Sequence, residues 1–333
     1  MSADTTAQQS YAISLESIQA AAQRIDGLAH RTPVLTCATL DAMAARGDSG
    51  QEIPVRLFFK CENFQKIGAF KYRGATNAIR RCLEERPTDS RTFVTHSSGN
   101  HAQAVALATR DARCNAVIVM PENAPLVKQQ AVRGYGAEIV FAAPTVSARE
   151  EVAAQVVERT NGHFIHPSND VDVMSGQGTA ALELLEQVQQ QYGATLDAVV
   201  VPVGGGGLCS GVAMAVKSMD PSIKVFAVEP EGAADASRSF LSRQLQGHST
   251  PPQTIADGLR TTLGDNNFPV IRDLVDDIVL VGDDEIVAAM RLLWERMKVV
   301  VEPSGAVSAA GVLFNKLRTP ELWQRKHSSS TRQ

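Results

Sequence analysis

The sequence has few cysteines, and none of them belongs to a short paired motif. Its 333 residues include five, and no two of these are separated by only two other residues. This spacing disfavours a cysteine-ligated zinc site and a disulfide framework, which are the common uses of clustered cysteines. We therefore expect a protein of a reducing compartment. The five are Cys37, Cys61, Cys82, Cys114 and Cys209.

The chain also lacks the features that would attach it to a membrane or to nucleic acid. The opening sequence MSADTTAQQSYAISLESIQ has neither a basic stretch nor an apolar core, and no run of about 18 apolar residues occurs. The 32 basic and 36 acidic residues give a formal net charge of -4, so no strong positive field is available to hold a phosphate backbone. We expect a cytoplasmic protein that binds neither membrane nor nucleic acid.

What the sequence does contain is an alternation of strand-length apolar runs with helix-like stretches. Most of the apolar runs are continuous, as expected of parallel strands that are covered on both faces. This order predicts an α/β fold with mainly parallel sheets flanked by helices. The predicted strands are residues 91–95, 116–120, 138–141, 198–203, 224–228 and 277–281. The predicted helices are residues 102–110, 124–135, 146–160, 178–191 and 284–297.

Four consecutive glycines, residues 204–207, follow the apolar strand AVVVPV and precede the small-residue stretch LCSGVAMAV. Without side chains, the backbone N–H groups of such a loop can converge on an anion, and the N-terminus of the next helix adds a favourable dipole. The loop therefore predicts a phosphate site. A dinucleotide-binding G-x-G-x-x-G pattern fits less well, because its third glycine falls on Cys209 or Ser210. Glu229, after the next strand, keeps a nucleotide-binding protein open as an alternative.

The segment THSSGNHAQA, residues 95–104, places hydroxyl, amide and imidazole groups between a predicted strand and a predicted helix. Open α/β sheets bind their ligands at such places. Ser98 is a candidate for proton transfer at a substrate, and Asn100 could bond a cofactor oxygen. A simpler interpretation is that Ser97 or Ser98 caps the helix. His101 is open to both interpretations.

Lys71 lies in the segment ENFQKIGAFKYRGA, directly after the aromatic Phe70. On a partly apolar stretch, desolvation can lower the pKa of a lysine, and the neutral amine can then form a Schiff base. The local spacing does not require this chemistry. Taken alone, Lys71 is better interpreted as a solvated helix lysine.

The segment EPEGAAD could supply the carboxylates of Glu229 and Asp235 and the backbone carbonyl of Ala233 to one site. Such oxygens could bind a hard cation such as magnesium or calcium. On spacing alone, the segment could equally be a solvated acidic loop. In MSGQGTA, Gly176 and Gly178 indicate a glycine-rich helix start made for close packing.

Seven segments, taken in order, resemble the serine racemase and serine/threonine dehydratase family over about residues 15–317. They are FQKIGAFKYRGA, THSSGNHAQA, SGQGT, VPVGGGG, EP with acidic residues after it, TIADGL and VEPSGA. The family consists of pyridoxal 5′-phosphate (PLP) enzymes of fold type II, the two-lobed fold of the tryptophan synthase β type. The resemblance implies a small domain at residues 92–169 and a large PLP-binding domain formed by residues 1–91 and 170–333. It also implies an amino-acid substrate, a homodimer and a nucleotide such as ATP as an effector.

The resemblance implies a role for each matching residue. Lys71 would form the Schiff base and move a proton on one face of the substrate Cα, while Ser98 would work on the opposite face. Phe70 would lie beside the cofactor ring, and Asn100 would bind the ring hydroxyl. The cofactor phosphate would be held by Gly204, Gly205, Gly206 and Gly207. The substrate would be bound by Ser97, Ser98, Gly99, Asn100, His101 and Arg149. A divalent cation, Mg²⁺ or Ca²⁺, would be bound by Glu229, Ala233 and Asp235.

The implied reactions are racemisation of serine and elimination from L- and D-serine to give pyruvate and ammonia. Ammonia-lyases for L-threonine and for 3-hydroxyaspartate stay open, because the sequence does not show how the pocket treats a β-substituent. One departure concerns the C-terminal sequence RTPELWQRKHSSSTRQ. There the family carries a buried strand that ends in Ser-Gly-Gly-Asn. The difference keeps an inactive or regulatory variant open.

Overall fold

The computed structural model describes residues 11–46, 54–314 and 316–317 of the chain. The helices are α1 (Leu15–Ile25), α2 (Ala38–Ala45), α3 (Lys71–Glu85), α4 (Asn100–Asp111), α5 (Leu126–Gly134), α6 (Val146–Thr160), α7 (Val171–Tyr192), α8 (Gly207–Met219), α9 (Asp235–Ser242), α10 (Asn267–Leu274), α11 (Asp283–Leu292) and α12 (Pro303–Leu313). The strands are β1 (Val34–Leu35), β2 (Phe59–Lys60), β3 (Thr92–His96), β4 (Asn115–Pro121), β5 (Glu138–Ala142), β6 (His163–Phe164), β7 (Ala198–Pro202), β8 (Lys224–Pro230) and β9 (Asp277–Val281). The C-terminal sequence on which the departure from the family rests, residues 318–333, lies outside the described residues.

Two parallel sheets carry the architecture, and all their strands except β6 are ones that the sequence predicts. One sheet has the order β5-β4-β3-β6 and the other β7-β8-β9, while β1 and β2 form a short antiparallel pair. In the first sheet Val94 pairs with Val117, and in the second Val200 pairs with Phe226. Parallel neighbours need crossover connections, and α4, α5, α6 and α8 supply them between successive strands. The α/β prediction is confirmed.

The predicted helices are present, although some of their ends differ. Residues 146–160 form α6 as predicted, because the Thr145 side chain accepts a hydrogen bond from the Ala148 N–H and Asn161 ends the helix in the left-handed region. The predicted helix 284–297 is α-helical only to Leu292, and residues Leu293–Met297 form a π-helical turn.

Gly176 and Gly178 do not start a helix, contrary to the sequence prediction. Helix α7 begins five residues earlier than Gly176, at Val171, where Asp170 caps it. Both glycines instead lie where α7 contacts neighbouring helices. A Cβ on Gly176 would be 2.6 Å from Gly74 Cα, and a Cβ on Gly178 would be 2.8 Å from the Gly211 carbonyl oxygen. They allow α7 to pack closely against α3 and α8, so the predicted close packing is correct.

The two sheets belong to different parts of the apolar core. Buried side chains such as Phe93, Val105 and Ile118 pack around the first sheet, together with Ile79 of α3. A separate cluster, which includes Val201, lies around the second sheet. The strands of the first sheet all come from the uninterrupted segment between Thr92 and Phe164, whereas the division of the chain into domains at residues 92 and 169 stays a prediction. Within the described ranges, no helix has both the length and the apolar composition needed to cross a bilayer.

Candidate active site

Lys71 is the first residue of α3, and its amine is held inside the molecule. Its Nζ donates a hydrogen bond of 2.8 Å to the Pro167 carbonyl oxygen and lies 5.2 Å from the centroid of the Phe70 ring. Burial lowers the pKa of Lys71 to about 8, and the negative charge of Glu302 acts in the opposite direction. Because its amine is buried, Lys71 is not a solvated helix lysine. A larger share of this amine is neutral near pH 7 than in an exposed lysine.

A buried arginine fixes the helix that carries this lysine. The Arg73 side chain has no exposed surface. Its guanidinium donates to Glu62 through two hydrogen bonds of 2.8 Å and to Glu183 through bonds of 2.7 and 2.9 Å. Bidentate pairs of this kind are geometrically specific. They tie the start of α3 to α7, so Lys71 is presented from a rigid element.

The segment between β3 and α4 leaves the Ser98 hydroxyl uncommitted. Gly99 stands at the position before the helix, and no side chain caps α4. Ser97 Oγ accepts a hydrogen bond of 3.3 Å from the Gly99 N–H, whereas Ser98 Oγ bonds to none of the described residues. The interpretation of Ser97 or Ser98 as a helix cap is therefore wrong. Ser98 is half-buried with a free donor and acceptor.

Asn100, the first residue of α4, contacts Glu302, the residue whose negative charge acts on Lys71. Its Nδ2 donates a hydrogen bond of 2.8 Å to Glu302 Oε1, and Glu302 precedes α12. Burial raises the pKa of Glu302, while the hydrogen bond from Asn100 lowers it. His101 is buried next to Ile165, and burial together with the Lys71 charge holds the pKa of His101 well below its ordinary value. The structure thus brings Lys71, Asn100 and His101 together, as the sequence predicts.

Two site residues, His96 and His166, were missed by the sequence interpretation. His166 follows β6, and its Nδ1 accepts hydrogen bonds from the N–H groups of Ser168 (3.2 Å) and Asn169 (2.8 Å). Burial lowers the pKa of His166 to about 4, so the ring is neutral and this bonding assigns its proton to Nε2. The His96 ring lies 5.8 Å from the His166 ring. For His96, the one available signal in the sequence was a polar residue directly after a predicted strand.

Arg149 lies near the start of α6, where its Nε donates to the Thr145 carbonyl oxygen at 3.2 Å. Burial is the first cause that lowers the pKa of His96, and the positive charge of Arg149 is the second. Arg149 is therefore close enough to His96 to act on it electrostatically. This is its connection to the candidate site.

The glycine loop is enclosed so closely that side chains do not fit. A Cβ on Gly204 would lie 2.8 Å from Leu259 Cα, and one on Gly205 would lie 2.4 Å from Ser168 Oγ. Gly206 has a φ of +93°, which glycine adopts without strain. The N–H groups of residues 205–207 bond to no described residue, and Gly207 starts α8. Unpaired N–H groups at a helix start form an anion site.

One short segment connects the glycine loop with Lys71. The carbonyl of Pro167 accepts a hydrogen bond from the Lys71 amine. The next residue, Ser168, lies against Gly205 and Gly207. An amine with a lowered pKa and a glycine loop suited to phosphate therefore lie against two consecutive residues, Pro167 and Ser168. This arrangement fits PLP, which needs both groups.

The two carboxylates of EPEGAAD that the sequence singles out, Glu229 and Asp235, are buried, whereas Glu231 between them is exposed. Neither Glu229 nor Asp235 has exposed surface. The Glu229 carboxylate accepts the N–H groups of Ala236 and Ser237, each at 2.8 Å, and burial raises the pKa of Glu229 to about 8. Asp235 Oδ1 has no hydrogen-bond partner, which fits a site for a cation. Nowhere in the described ranges do three or more His, Cys, Asp or Glu side chains form a ready metal-binding group.

The comparisons with known proteins agree with this site. The family model described as "Pyridoxal-phosphate dependent enzyme" matches residues 25–325. The serine racemase of Dictyostelium discoideum is 47% identical over 308 residues, which cover 92% of this chain and 90% of that protein. The solved structure of maize serine racemase has a TM-score of 0.86 at 45% identity and covers 94% of this chain and 90% of its own. The T.th. threonine deaminase structure has a TM-score of 0.84 at 43% identity and covers 92% and 94%.

These matches confirm the resemblance and the fold type that the motifs imply. They run through both sheets and through every residue of the candidate site. The chain belongs to the pyridoxal-phosphate dependent enzyme family.

Proposed function

We propose that this enzyme racemises serine and also eliminates ammonia from L- and D-serine to give pyruvate. The observation that carries the proposal is the position of Lys71, whose amine and the glycine loop meet at residues 167–168. The serine racemases of Dictyostelium and maize support the substrate, since they match over nearly the whole chain.

The residues around Lys71 would hold the cofactor. PLP, when bound, delocalises the electron pair that remains at the substrate Cα after its proton is removed. The N–H groups of residues 204–207 and the start of α8 would bind the phosphate. Lys71 Nζ would bind the cofactor covalently, Phe70 would lie beside its ring, and Asn100 would bond its ring hydroxyl.

Two groups would move protons at the substrate Cα. Lys71 Nζ, with its pKa lowered to about 8, would act on one face, and the uncommitted Ser98 Oγ would act on the other. Racemisation needs both groups, because the proton taken from one face is replaced from the other. Elimination from L-serine would need mainly Lys71, since no proton has to return to Cα from the Ser98 side.

The start of α4 would bind the substrate carboxylate. Residues 97–101 lie at a helix N-terminus, where N–H groups and the helix dipole favour an anion. His101 would stay neutral there, because its pKa is held well below the ordinary value. Arg149, which acts on His96 from the start of α6, would add a positive charge on the substrate side.

The remaining parts of the proposal concern architecture and a cation. Residues 92–169 would form the small domain, which the single-segment origin of the first sheet supports, and residues 1–91 with 170–333 would form the large one. Glu229, Asp235 and the Ala233 carbonyl would bind a divalent cation, supported by the unpartnered Asp235 Oδ1. For hard oxygen ligands this ion would be Mg²⁺ or Ca²⁺. The homodimer, the ATP effector and the cytoplasmic location stay predictions of the sequence.

A threonine ammonia-lyase is a second candidate function, because the T.th. threonine deaminase structure matches with a TM-score of 0.84. The test is to incubate the purified holoenzyme with L-serine, D-serine, L-threonine and 3-hydroxyaspartate, and to measure keto acid and chirality. Interconversion of the serine enantiomers supports the proposal. Keto acid from threonine or hydroxyaspartate without racemisation of serine would replace it with an ammonia-lyase, and cofactor-loaded protein without turnover would indicate an inactive variant.

A further inference from the structure

The connection between β6 and α7 has a histidine ring in the place where a turn commonly has a small polar side chain. His166 Nδ1 accepts the N–H group of Ser168 at 3.2 Å and that of Asn169 at 2.8 Å. The side-chain oxygen of an Asn or Asp residue commonly accepts the N–H two residues later in the same way. The imidazole therefore closes this turn as an Asn or Asp side chain would.

The backbone of this turn depends on the ring nitrogen. Pro167 has no N–H group, so residues 168 and 169 supply the backbone donors, and both of them bond to His166. Within the described ranges, the Ser168 N–H bonds to His166 and to no other residue. Ser168 is only 4% exposed, and a buried donor that loses its acceptor is unfavourable. Loss of the ring nitrogen would therefore release this part of the backbone.

One peptide unit connects this histidine with Lys71. The Ser168 N–H and the Pro167 carbonyl belong to the same planar, trans peptide unit, so the two groups point in opposite directions. The N–H donates to His166 Nδ1, and the carbonyl oxygen accepts from Lys71 Nζ at 2.8 Å. An acceptor that fixes the N–H therefore also fixes the direction of the carbonyl. Hydrogen bonds arranged in such a chain polarise one another, which strengthens the carbonyl as an acceptor.

The residues after this peptide unit are held from the other side, by the start of α10. The Ser168 carbonyl oxygen accepts a hydrogen bond from Asn267 Nδ2 at 3.0 Å, and Asn169 Oδ1 accepts the Asn266 N–H at 3.0 Å. These contacts fix where the turn ends. The direction of the preceding carbonyl, that of Pro167, is left to the histidine.

We propose that His166 is a positioning residue for the Lys71 amine, an inference that rests on the cofactor role proposed above for Lys71. By accepting the Ser168 N–H, the ring turns the Pro167 carbonyl toward Lys71. The amine is then held beside the glycine loop before the cofactor arrives. The same carbonyl orients the free amine when it moves a proton at the substrate Cα.

Two substitutions separate the acceptor from the ring. His166→Asn removes the ring but keeps an acceptor, because Oδ1 of Asn is as many bonds from the backbone as Nδ1 of His. His166→Phe keeps a ring and removes the acceptor. The rate of PLP capture by cofactor-free protein is measured well above the Lys71 pKa of about 8, where the amine is neutral. Capture should be about tenfold or more slower in His166→Phe and within about threefold of the parent in His166→Asn.

Hydrogen exchange of the Ser168 and Asn169 amides reports on the turn without any cofactor. It should be about tenfold or more faster in His166→Phe and close to the parent rate in His166→Asn. His163→Phe is the matched control, because His163 lies in β6 and its Nε2 has no partner among the described residues. The control should change neither capture nor exchange.

The order of the variants decides the outcome. Parent-like capture and exchange in His166→Phe, or equal losses in both His166 variants, would overturn the positioning role. If the parent itself captures no PLP, the proposed function fails, and the exchange rates still show whether His166 holds the turn.

A measurement on the unsubstituted protein covers the case in which a variant does not fold. Nuclear magnetic resonance of isotope-labelled histidine rings shows which ring nitrogen carries the proton. Burial lowers the pKa of His166 to about 4, and Nδ1 accepts two N–H groups, so the proton should be on Nε2 alone at neutral pH. A proton on Nδ1 of His166 would overturn the proposal, because that nitrogen could not then accept the Ser168 N–H.

Discussion

Asn100 Nδ2 donates a hydrogen bond of 2.8 Å to Glu302 Oε1, which joins the start of α4 to a residue 202 positions later. Glu302 also acts on Lys71, because its negative charge raises the pKa that burial lowers. One carboxylate therefore orients a proposed cofactor ligand and sets the protonation of the proposed catalytic amine. This double contact makes the charge of Glu302 directly testable.

Glu302→Gln should move the pH dependence of cofactor capture to lower pH. Capture needs the neutral amine, so its rate should rise as the pH passes through the Lys71 pKa of about 8. Removing the negative charge removes an influence that raises this pKa, and the midpoint must then fall. The rate of PLP binding to cofactor-free protein across pH 6 to 10, roughly the range around that pKa, measures the shift. Glu295→Gln, which removes an exposed partner of Arg291, should leave the midpoint in place.

Lys71→Ala should abolish covalent cofactor binding and both reactions with serine, because it removes the buried amine that lies beside the glycine loop. The measurement is the visible absorbance of the lysine-bound cofactor, followed by borohydride reduction and peptide mapping. Lys66→Ala is the matched control, since Lys66 lies in the same motif but contacts Tyr72 and Asp111. A borohydride tag on Lys66 or Lys128 would show that the motif has been assigned wrongly.

Ser98→Ala should separate the two reactions. Racemisation and elimination from D-serine should fall by roughly 10² to 10⁴-fold, the usual effect of losing a general acid or base, while elimination from L-serine stays near the parent rate. Chiral chromatography and a pyruvate assay at matched PLP occupancy measure both. Ser97→Ala is the comparison, because Ser97 bonds the Gly99 N–H and its loss should affect both enantiomers alike. Equal losses for L- and D-serine in Ser98→Ala would return Ser98 to a structural role.

Gly205→Ala should weaken PLP binding. The added Cβ would lie 2.4 Å from Ser168 Oγ, so the loop must shift and its N–H groups move away from the phosphate. Hydrogen bonds to a charged group contribute about 1.5–3 kcal/mol each, so the Kd should rise by about tenfold or more. Gly134→Ala is the control, since a Cβ there meets nothing within 4 Å. Comparison with pyridoxal, which has no phosphate, should show a much smaller loss.

Arg73→Met should destabilise the fold strongly. It leaves Glu62 and Glu183 without their shared partner, and breaking a buried ion pair in this way costs about 3–5 kcal/mol. Arg81→Met removes an arginine of the same helix whose side chain is 38% exposed, and exposed pairs contribute about 0–1 kcal/mol. Urea unfolding of both variants measures the difference, and equal midpoints would contradict the role given to the buried network.

The sequence was sufficient to predict most strands of the two sheets and to select most of the residues examined at the candidate site. Continuous apolar runs identify β4, β7 and β8 because buried parallel strands carry little polar sequence. The two-residue strands β1, β2 and β6 were missed, since two residues show no periodicity.

The environment of the site was less predictable, because it depends on contacts between distant segments. The hydrogen-bond acceptor of the Lys71 amine is the carbonyl of Pro167, 96 residues away, and His166 follows a strand too short to detect. Serines before a helix usually cap it, yet here Gly99 holds that position and Ser98 stays free. Local patterns therefore predicted which residues to examine, and tertiary structure decided what each of them does.

The chain order of the site has a consequence for its biosynthesis. The segment Thr92–Phe164 supplies the whole first sheet, so that sheet can form soon after it leaves the ribosome, since chains fold from the N-terminus during synthesis. The surroundings of Lys71 cannot form as early. Arg73 pairs with Glu183, which is synthesised 110 residues later, and the glycine loop is synthesised later still. A nascent chain that stops before α8 would carry the lysine without its cradle. We therefore expect cofactor capture to be a late step in the maturation of this protein.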